Sequence, residues 1–544
     1  MTGKRVHTEH PTVTYDDLNG TDQAAVRLAF QQGATRRQVM GWLIASGATI
    51  ASAGAIATGA SNAIAATPKK GGTLRYAASL HGPSDTMDPI IFTSGIDYMR
   101  GRLHYNGLLR LSPTLEPEAE LAEEFEANQD TTEWTFRLRK GVKWHDGSPL
   151  TADDVIYSMK RHLGEESKSN AKGYLTSVDD WVKVDNETVK VTLKYPNADI
   201  PALMGIYQFK IVKDGTTDFS NPIGTGPYKM TEFKPGVRSV HVRNEDYWGN
   251  VPHIDQVEVF AITDPTARLN AILSGDVHMV VTVDPKTIPQ LEASDKADLL
   301  STPSNQWNGI CCMKDKAPGN NDDFVLGMKH LPRRERIVKN ILKGHGTVGN
   351  DHPISTAYPE HCQDLAVRAY DPDKAKFHFK KAGITSAELY VAPVNVGMEE
   401  TCLLIQREAA KIGFNLQLKK VPNDGYWGAI WLKKPLNVVT WLMRPTAHAM
   451  LSVAFAPDAP WNDTRWNNPR MGELLKVSAG ETDPAKRKEM FCEMQTLVHN
   501  EGGWVIPSHN NYLDGISKSV KGLVKHPIGN TGGYEWPEFA WLDG

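Results

Sequence analysis

Two short patterns in this chain have, on residue type alone, the means to transfer an acyl group. Ser169-Asn170-Ala171-Lys172 fits S-x-x-K, and Ser508-His509-Asn510 resembles the S-x-N element that accompanies it. A serine nucleophile of this kind needs a basic partner and a K-T-G strand; no K-T-G follows, and neither GxSxG nor HExxH occurs. His345, His352, His361 and Cys362 gather in a Gly/Pro-rich stretch, and imidazole with thiolate suits nickel, copper or zinc. Their spacings fit no compact ligand motif, and a CxxC is absent. Gly224-Thr225-Gly226-Pro227 lacks the GxxxxGK[ST] pattern and reads as a strand-entry turn rather than a phosphate cradle. The most informative group lies at Val438–His448, where an apolar strand runs into Trp441 and breaks at Arg444-Pro445. Clefts form at such strand ends, and the planar guanidinium of Arg444 suits a carboxylate. Its alternative use is a structural salt bridge.

The 544 residues exceed what one core supports. With 40% apolar and 23% charged residues and a net charge of -4, the chain has a globular composition and no basic excess to favour nucleic acid. Arg36-Arg37 followed by an Ala/Gly/Ile-rich run to Ala63-Ile64-Ala65-Ala66 has the anatomy of an export signal. Paired arginines mark the twin-arginine route. Residues 1–65 are therefore expected to be a leader with a long polar n-region, and the mature protein to work in the periplasm. The five cysteines all follow it, so at least one thiol stays unpaired, most are expected to be buried thiols, and Cys311 and Cys312 point to opposite strand faces.

The elements that must carry these residues alternate along the chain. Asp264-Pro265 to Gly275, Asp371-Pro372 to Gly383 and Asp483-Pro484 to about Gly502 each read as a helix with an Asp cap, Pro in the first turn and a glycine left-handed exit. Thr151 and Asp154 form a capping box ahead of Val155, Ile156 and Met159. Thr132–Arg139 and Thr188–Tyr195 alternate apolar and polar residues, as half-buried strands do. The fold class is α/β throughout, with no internal repeat.

Taken in order, several stretches resemble the family 5 extracellular solute-binding proteins of ABC importers, the dipeptide, oligopeptide and nickel class. They include Gly71-Gly72-Thr73-Leu74-Arg75-Tyr76, Trp134–Gly147, Thr151–Val155, Gly224–Tyr228, Asn244–Trp248, Leu273–Asp276, Tyr370–Ala375 and Val520–Gly522. The resemblance implies a two-lobed periplasmic binding protein of type II, cluster C-like, with an additional small domain and hinge closure around ligand. It implies a discontinuous lobe I (66–110, 224–310, 500–544), a small domain (111–223) and lobe II (311–499). Trp144-His145-Asp146-Gly147 then belongs to a structural turn of the small domain.

By the same resemblance the ligand sits between the lobes. Arg444 stands where dipeptide-binding relatives carry the Asp for the ligand's amino group, and their carboxylate-binding Arg is replaced by Val391-Ala392-Pro393. Arg444 is thus assigned to an anionic group. Trp441, Trp307, Tyr426 and Trp427 are assigned as aromatic surfaces for the ligand, and His81 as a lining residue in the loop after the first strand. The expected protein is a monomer that hands a peptide or peptide-like, carboxylated solute to membrane permease subunits. It uses no cofactor, has no metal of its own and performs no catalysis. Metal-chelate import is the alternative within the fold, and a serine acyl hydrolase the alternative outside it.

Overall fold

The computed structural model describes residues 68–543 apart from 424, 457–458 and 460, together with short stretches between 13 and 57. The arginine pair opens a helix at Arg36–Ala45; the expected cleavage segment at 63–66 lies outside the described residues. Among the described residues no helix is long and apolar enough to cross a membrane.

Among the described residues fifteen strands build the two larger sheets. In chain order they are β1 (Thr73–Ala78), β2 (Ala122–Ala127), β3 (Glu133–Leu138), β4 (Val178–Lys183), β5 (Thr188–Leu193), β6 (Tyr228–Lys234), β7 (Arg238–Arg243) and β8 (Gln256–Ala261). They continue with β9 (Met279–Val280), β10 (Ala297–Cys312), β11 (Gly346–Val348), β12 (Ser386–Val391), β13 (Asn415–Lys420), β14 (Leu436–Trp441) and β15 (Trp504–Ser517). The large sheet runs β13-β12-β14-β10-β15-β9-β1-β8-β7-β6, with β11 paired to β15. The smaller sheet runs β2-β3-β5-β4 and is antiparallel.

β10 and β15 are the long members and lie antiparallel at the middle of the large sheet. One end of the pair joins the half around β1 and β8, and the other end joins the half around β12 and β14. Their ladder is interrupted between Thr302 and Gln306. Pro303 has no N–H to give there, and the Ser304 hydroxyl bonds the Asn510 carbonyl instead, at 2.7 Å. Cores form on both sides of this break, around Leu74, Tyr76 and Val257 on one side and Leu389, Val438 and Phe324 on the other. The four-stranded sheet has its own core around Phe136, Trp181, Val189 and Val191, the apolar faces of the alternating strands.

Helix ends follow the capping chemistry of the sequence. Asp264 accepts from the Ala267 amide at 2.7 Å ahead of α1 (Pro265–Ser274), and Gly275 leaves it with φ 91°. Asp371 caps α2 (Pro372–Ala382), which exits at Gly383 with φ 70°. The Thr151/Asp154 capping box is present, with Asp154 accepting from the Thr151 amide at 2.8 Å. Gly502 departs from the expectation. It ends the helix Pro484–Glu501 in extended conformation (φ -62°, ψ 155°), because the chain continues directly into β15. Glycine is needed there for space: a Cβ on Gly502 would stand 2.7 Å from the Val498 carbonyl oxygen, and one on Gly503 2.2 Å from that of Cys312.

Trp144–Gly147 is a turn whose tryptophan is buried in the smaller core. The His145 ring bonds the Gly226 carbonyl at 3.0 Å, and Gly224 and Gly226 press against the backbone of His104 before β6 begins. Both motifs are scaffold. Cys311 and Cys312 face separate cores and are unbridged, Cys402 is a third buried thiol, and Cys362 is bridged to Cys492.

Candidate functional site

The acyl-transfer groups are not assembled. Ser169 is buried, its hydroxyl lies 2.6 Å from His162 Nδ1, and it accepts from the Ala171 amide. Lys172 turns away to the Ser167 carbonyl. Burial pushes the His162 imidazole down to about 3, so it is neutral and enclosed. Ser508 belongs to β15 and bonds Asn510. Of the metal-type group only His352 and His361 come together, their rings 6.0 Å apart. Cys362 is bridged, His345 bonds Ser301, and His361 bonds the Ile354 carbonyl. Among the described residues no set of three His, Cys, Asp or Glu side chains is placed to hold a metal ion.

The Arg444 region is assembled. β10 pairs with β14 so that Trp307 stands opposite Trp441, their rings parallel within 8° at 6.1 Å. Trp504 packs against both. Trp441 is held by Asp463, whose carboxylate accepts its indole N–H at 2.7 Å and that of Trp431 at 2.8 Å. Asp463 is enclosed, and burial pushes its carboxyl up to about 7 against those two donors. Past Trp441 the chain leaves β14, and Arg444 folds back over the wall with its guanidinium carbon 5.4 Å from the Trp441 ring and 5.7 Å from the Trp461 ring. Such cation–π contacts contribute about 0.5–2 kcal/mol each, depending on solvent access.

Tyr358 fixes the backbone of this residue. Its hydroxyl accepts from the Arg444 amide at 3.0 Å and donates to the Arg444 carbonyl at 2.7 Å. Pro445 and the Thr446 cap then start the helix Ala447–Phe455. The guanidinium bonds the nearby carbonyls of Leu442 at 3.3 Å and Met443 at 3.5 Å and lies within reach of the Tyr174 hydroxyl, and its buried Nε has no partner among the described residues. Among the described residues no carboxylate reaches it within ion-pair distance.

Three further tyrosines from distant segments feel its charge. Burial raises the phenol pKa of Tyr98, Tyr174 and Tyr512, and Arg444 opposes that rise in each. All remain neutral hydroxyls. Tyr98 stacks on Tyr207 at 4.4 Å. The Trp441 and Trp461 rings and Tyr358 thus form an aromatic cage on one side of the cation, and the Tyr98, Tyr174 and Tyr512 phenols lie within reach of its charge. Tyr174 also lines a cavity of about 250 Å³ with Asn197, His448 and Leu475, and Tyr512 lines another of about 40 Å³ with Gln306 and Asn395.

Of the residues singled out by sequence, Arg444 and Trp441 belong to the cage. Trp307 is fully buried behind Trp441 and supports it rather than facing open space. Tyr426 is a core residue whose hydroxyl bonds the Val438 carbonyl at 2.9 Å. Trp427 is exposed and touches Trp431 on the far side of Asp463. His81 is exposed in the loop after β1. Tyr98, Tyr174, Tyr358, Tyr512, Trp461 and Asp463 had no local signal in the sequence.

The seam beside the cage is closed by contacts from the smaller-sheet segment. Asp199 accepts from the Thr446 hydroxyl at 2.6 Å and from Arg487 at 2.7 Å. The Ala198 amide donates to the Ala479 carbonyl at 2.7 Å. Farther along the cleft, Lys286 pairs with Glu400.

Residues 116–472 match the family described as bacterial extracellular solute-binding proteins, family 5 Middle. The chain is 27% identical over 507 residues to the dipeptide-binding protein of Escherichia coli (strain K12), covering 84% of this chain and 93% of that one. In three dimensions it is similar to the Helicobacter pylori periplasmic binding protein DppA in complex with the peptide STSA. The TM-score there is 0.78 at 21% identity, over 88% of this chain and 99% of the other. It is similar also to AgaA of A. tumefaciens R10 in complex with agropinic acid (TM-score 0.77, 22% identity, 87% and 99% coverage). The fold is that of the two-lobed periplasmic binding proteins.

Proposed function

The chain belongs to the bacterial extracellular solute-binding proteins of family 5, and from that premise we propose that it captures a peptide or peptide-like, carboxylated solute for an ABC importer. Members of this family bind solutes and are not enzymes. Lobe I comprises 66–110, 224–310 and 500–544, the small domain 111–223, and lobe II 311–499. The hinge is the interrupted stretch of β10 beside β15, where Pro303 weakens the ladder. Ligand that touches both lobes favours the closed arrangement by its differential affinity for it, and the permease subunits read that closure.

The observation that carries this reading is Arg444: a guanidinium whose Nε has no partner among the described residues, set against the Trp441 and Trp461 rings. A partly enclosed cation without a counter-ion among the described residues is costly, and a ligand carboxylate supplies one. Trp441 forms the floor and Trp307 backs it, Tyr426 lies in the core behind, and Trp427 and His81 are exposed. The peptide and agropinic acid bound by the structural relatives named above are both consistent with an acidic ligand.

The mature protein acts in the periplasm as a monomer, exported by the twin-arginine route through Arg36-Arg37. The Cys362–Cys492 bridge supports an oxidising compartment. Mass spectrometry of the solute that co-purifies from the native compartment identifies the ligand, and calorimetry of that solute tests the assignment. Arg444→Ala is expected to weaken binding at least about a hundredfold, as loss of a partner to a desolvated charge does, with the melting temperature of the empty protein nearly unchanged. Unaltered affinity in that variant would refute it.

A further inference from the structure

Residues 353–362 join the Arg444 region to the interrupted middle of β10. At the β10 end, the Asn305 carboxamide commits both of its polar atoms to this segment. Its Nδ2 donates to the Pro353 carbonyl at 2.7 Å, and its Oδ1 accepts from the Ser355 amide at 2.6 Å. Asn305 is fully buried and lies inside the break between Thr302 and Gln306. The Ser355 hydroxyl adds a longer bond to the Ser304 carbonyl at 3.4 Å. A carboxamide that donates to a carbonyl and accepts from an amide is satisfied in one orientation only, so this joint is directional.

The segment then folds on itself. The Tyr358 amide donates to the Ser355 carbonyl at 3.1 Å, and His361 Nδ1 donates to the Ile354 carbonyl at 2.9 Å. Its far end is anchored on the helix Pro484–Glu501, where Cys362 is bridged to Cys492 and its amide donates to Gln495 Oε1 at 2.9 Å. Both ends are held, and Tyr358 between them grips the Arg444 amide and carbonyl. The path from β10 is thus continuous through Asn305, Ser355, Tyr358 and Arg444. Asn308, three residues along β10, supplies the contrast. It is also buried, and its carboxamide donates to the Val396 carbonyl at 2.8 Å and accepts from Asn395 Nδ2 at 2.9 Å. Those partners belong to a different segment.

We propose that Asn305 is a positioning residue for Arg444: it holds residues 353–362 against the β10 break, and that segment sets the Arg444 backbone through Tyr358. Movement at the break and placement of the guanidinium are then one coupled event. The proposal rests on the reading of Arg444 as the anion site and of this break as the hinge, and it adds the physical link between them.

Amide hydrogen exchange on the empty protein tests the link from both ends, since coupling between two positions is reciprocal. Asn305→Ala is read at the Arg444 amide, and Tyr358→Phe at the Ser355 amide. The Val438 amide, which bonds the Tyr426 hydroxyl at 3.1 Å, is the internal reference for global opening. Relative to Val438, each distant amide is expected to exchange at least about fivefold faster, the factor that one neutral hydrogen bond corresponds to. Asn308→Ala is expected to leave the Arg444 ratio within about twofold, as an independent site does. A wild-type ratio at Arg444 in Asn305→Ala overturns the proposal, as does an equal rise in Asn308→Ala or a response from one end only. Should Asn305→Ala fail to fold, the wild-type protein decides. Across a denaturant series its Ser355 and Arg444 amides are expected to share one opening free energy, and two distinct values overturn the proposal. No solute takes part, so the outcome stands apart from the affinity of Arg444→Ala: an unaltered affinity there removes the anion reading and leaves the link in place.

Discussion

Replacing Asp199 with alanine tests whether the seam beside the cage is a closing jaw or a permanent joint. Its carboxylate is nearly enclosed and receives the Thr446 hydroxyl at 2.6 Å and Arg487 Nη2 at 2.7 Å. Hydrogen bonds to charged groups contribute about 1.5–3 kcal/mol each. Arg487 keeps part of its satisfaction from Glu360 at 3.4 Å and the Ser478 carbonyl at 3.1 Å. The net loss is therefore about 2–4 kcal/mol, below the sum of two full bonds. Thr446 caps the helix that begins three residues after Arg444, so the contact and the anion site move together. If the seam forms on closure, the loss falls on the closed state alone. Affinity for the co-purified solute should then drop about thirtyfold or more, at about 1.4 kcal/mol per decade, while the melting temperature of the empty protein hardly moves. The assay is calorimetry paired with thermal unfolding of the empty protein. A lowered melting temperature with affinity unchanged within a factor of about two would refute the reasoning, since each decade needs about 1.4 kcal/mol.

Asp463 gives a pH signature. Its folded carboxyl is raised to about 7 by burial, above its ordinary value of 3.8. The protonated form is thus favoured in the native state, so its contribution is fully present below about pH 4 and is lost as pH rises through about 7, at about 1.4 kcal/mol per unit. Tryptophan emission, reporting Trp441 and Trp431, should titrate with a midpoint near that value, and Asp463→Asn should abolish the transition; a transition that survives would place its origin elsewhere. Tyr358→Phe removes both bonds to the Arg444 backbone and should weaken binding of the co-purified solute by about 1–3 kcal/mol. The same substitution at Tyr426, a core residue bonded to Val438, should lower the melting temperature without a comparable change in affinity. Equal affinity losses in the two variants would show that Tyr358 has no special hold on the site.

Local features were legible in the sequence because local physics decides them. Asp-Pro starts, the Thr151/Asp154 box and the alternation in β3 and β5 each depend on residues within a few positions of one another. Gly502 shows the limit of that logic. A glycine after a helix reads as a left-handed exit, but here the Val498 carbonyl decides its role, and the Cys312 carbonyl, far away in sequence, decides that of the neighbouring Gly503. The strand end at Trp441 and Arg444 was readable because a strand that breaks at Arg-Pro is distinctive. The rest of the cage was not, since Tyr98, Tyr174, Tyr358 and Tyr512 come from four separated segments that only the tertiary fold brings to one cation. Tyr426 and Trp427 show the converse: adjacent aromatics announce buried area but not which face of the wall they occupy.

Small-angle scattering of the wild-type protein, stripped and then reloaded with its co-purified solute, tests clamping around an anion most directly. The account predicts a smaller radius of gyration on loading, and no such change when Arg444→Ala is given the same solute. An unchanged radius in the wild type, or equal compaction in the variant, would contradict it.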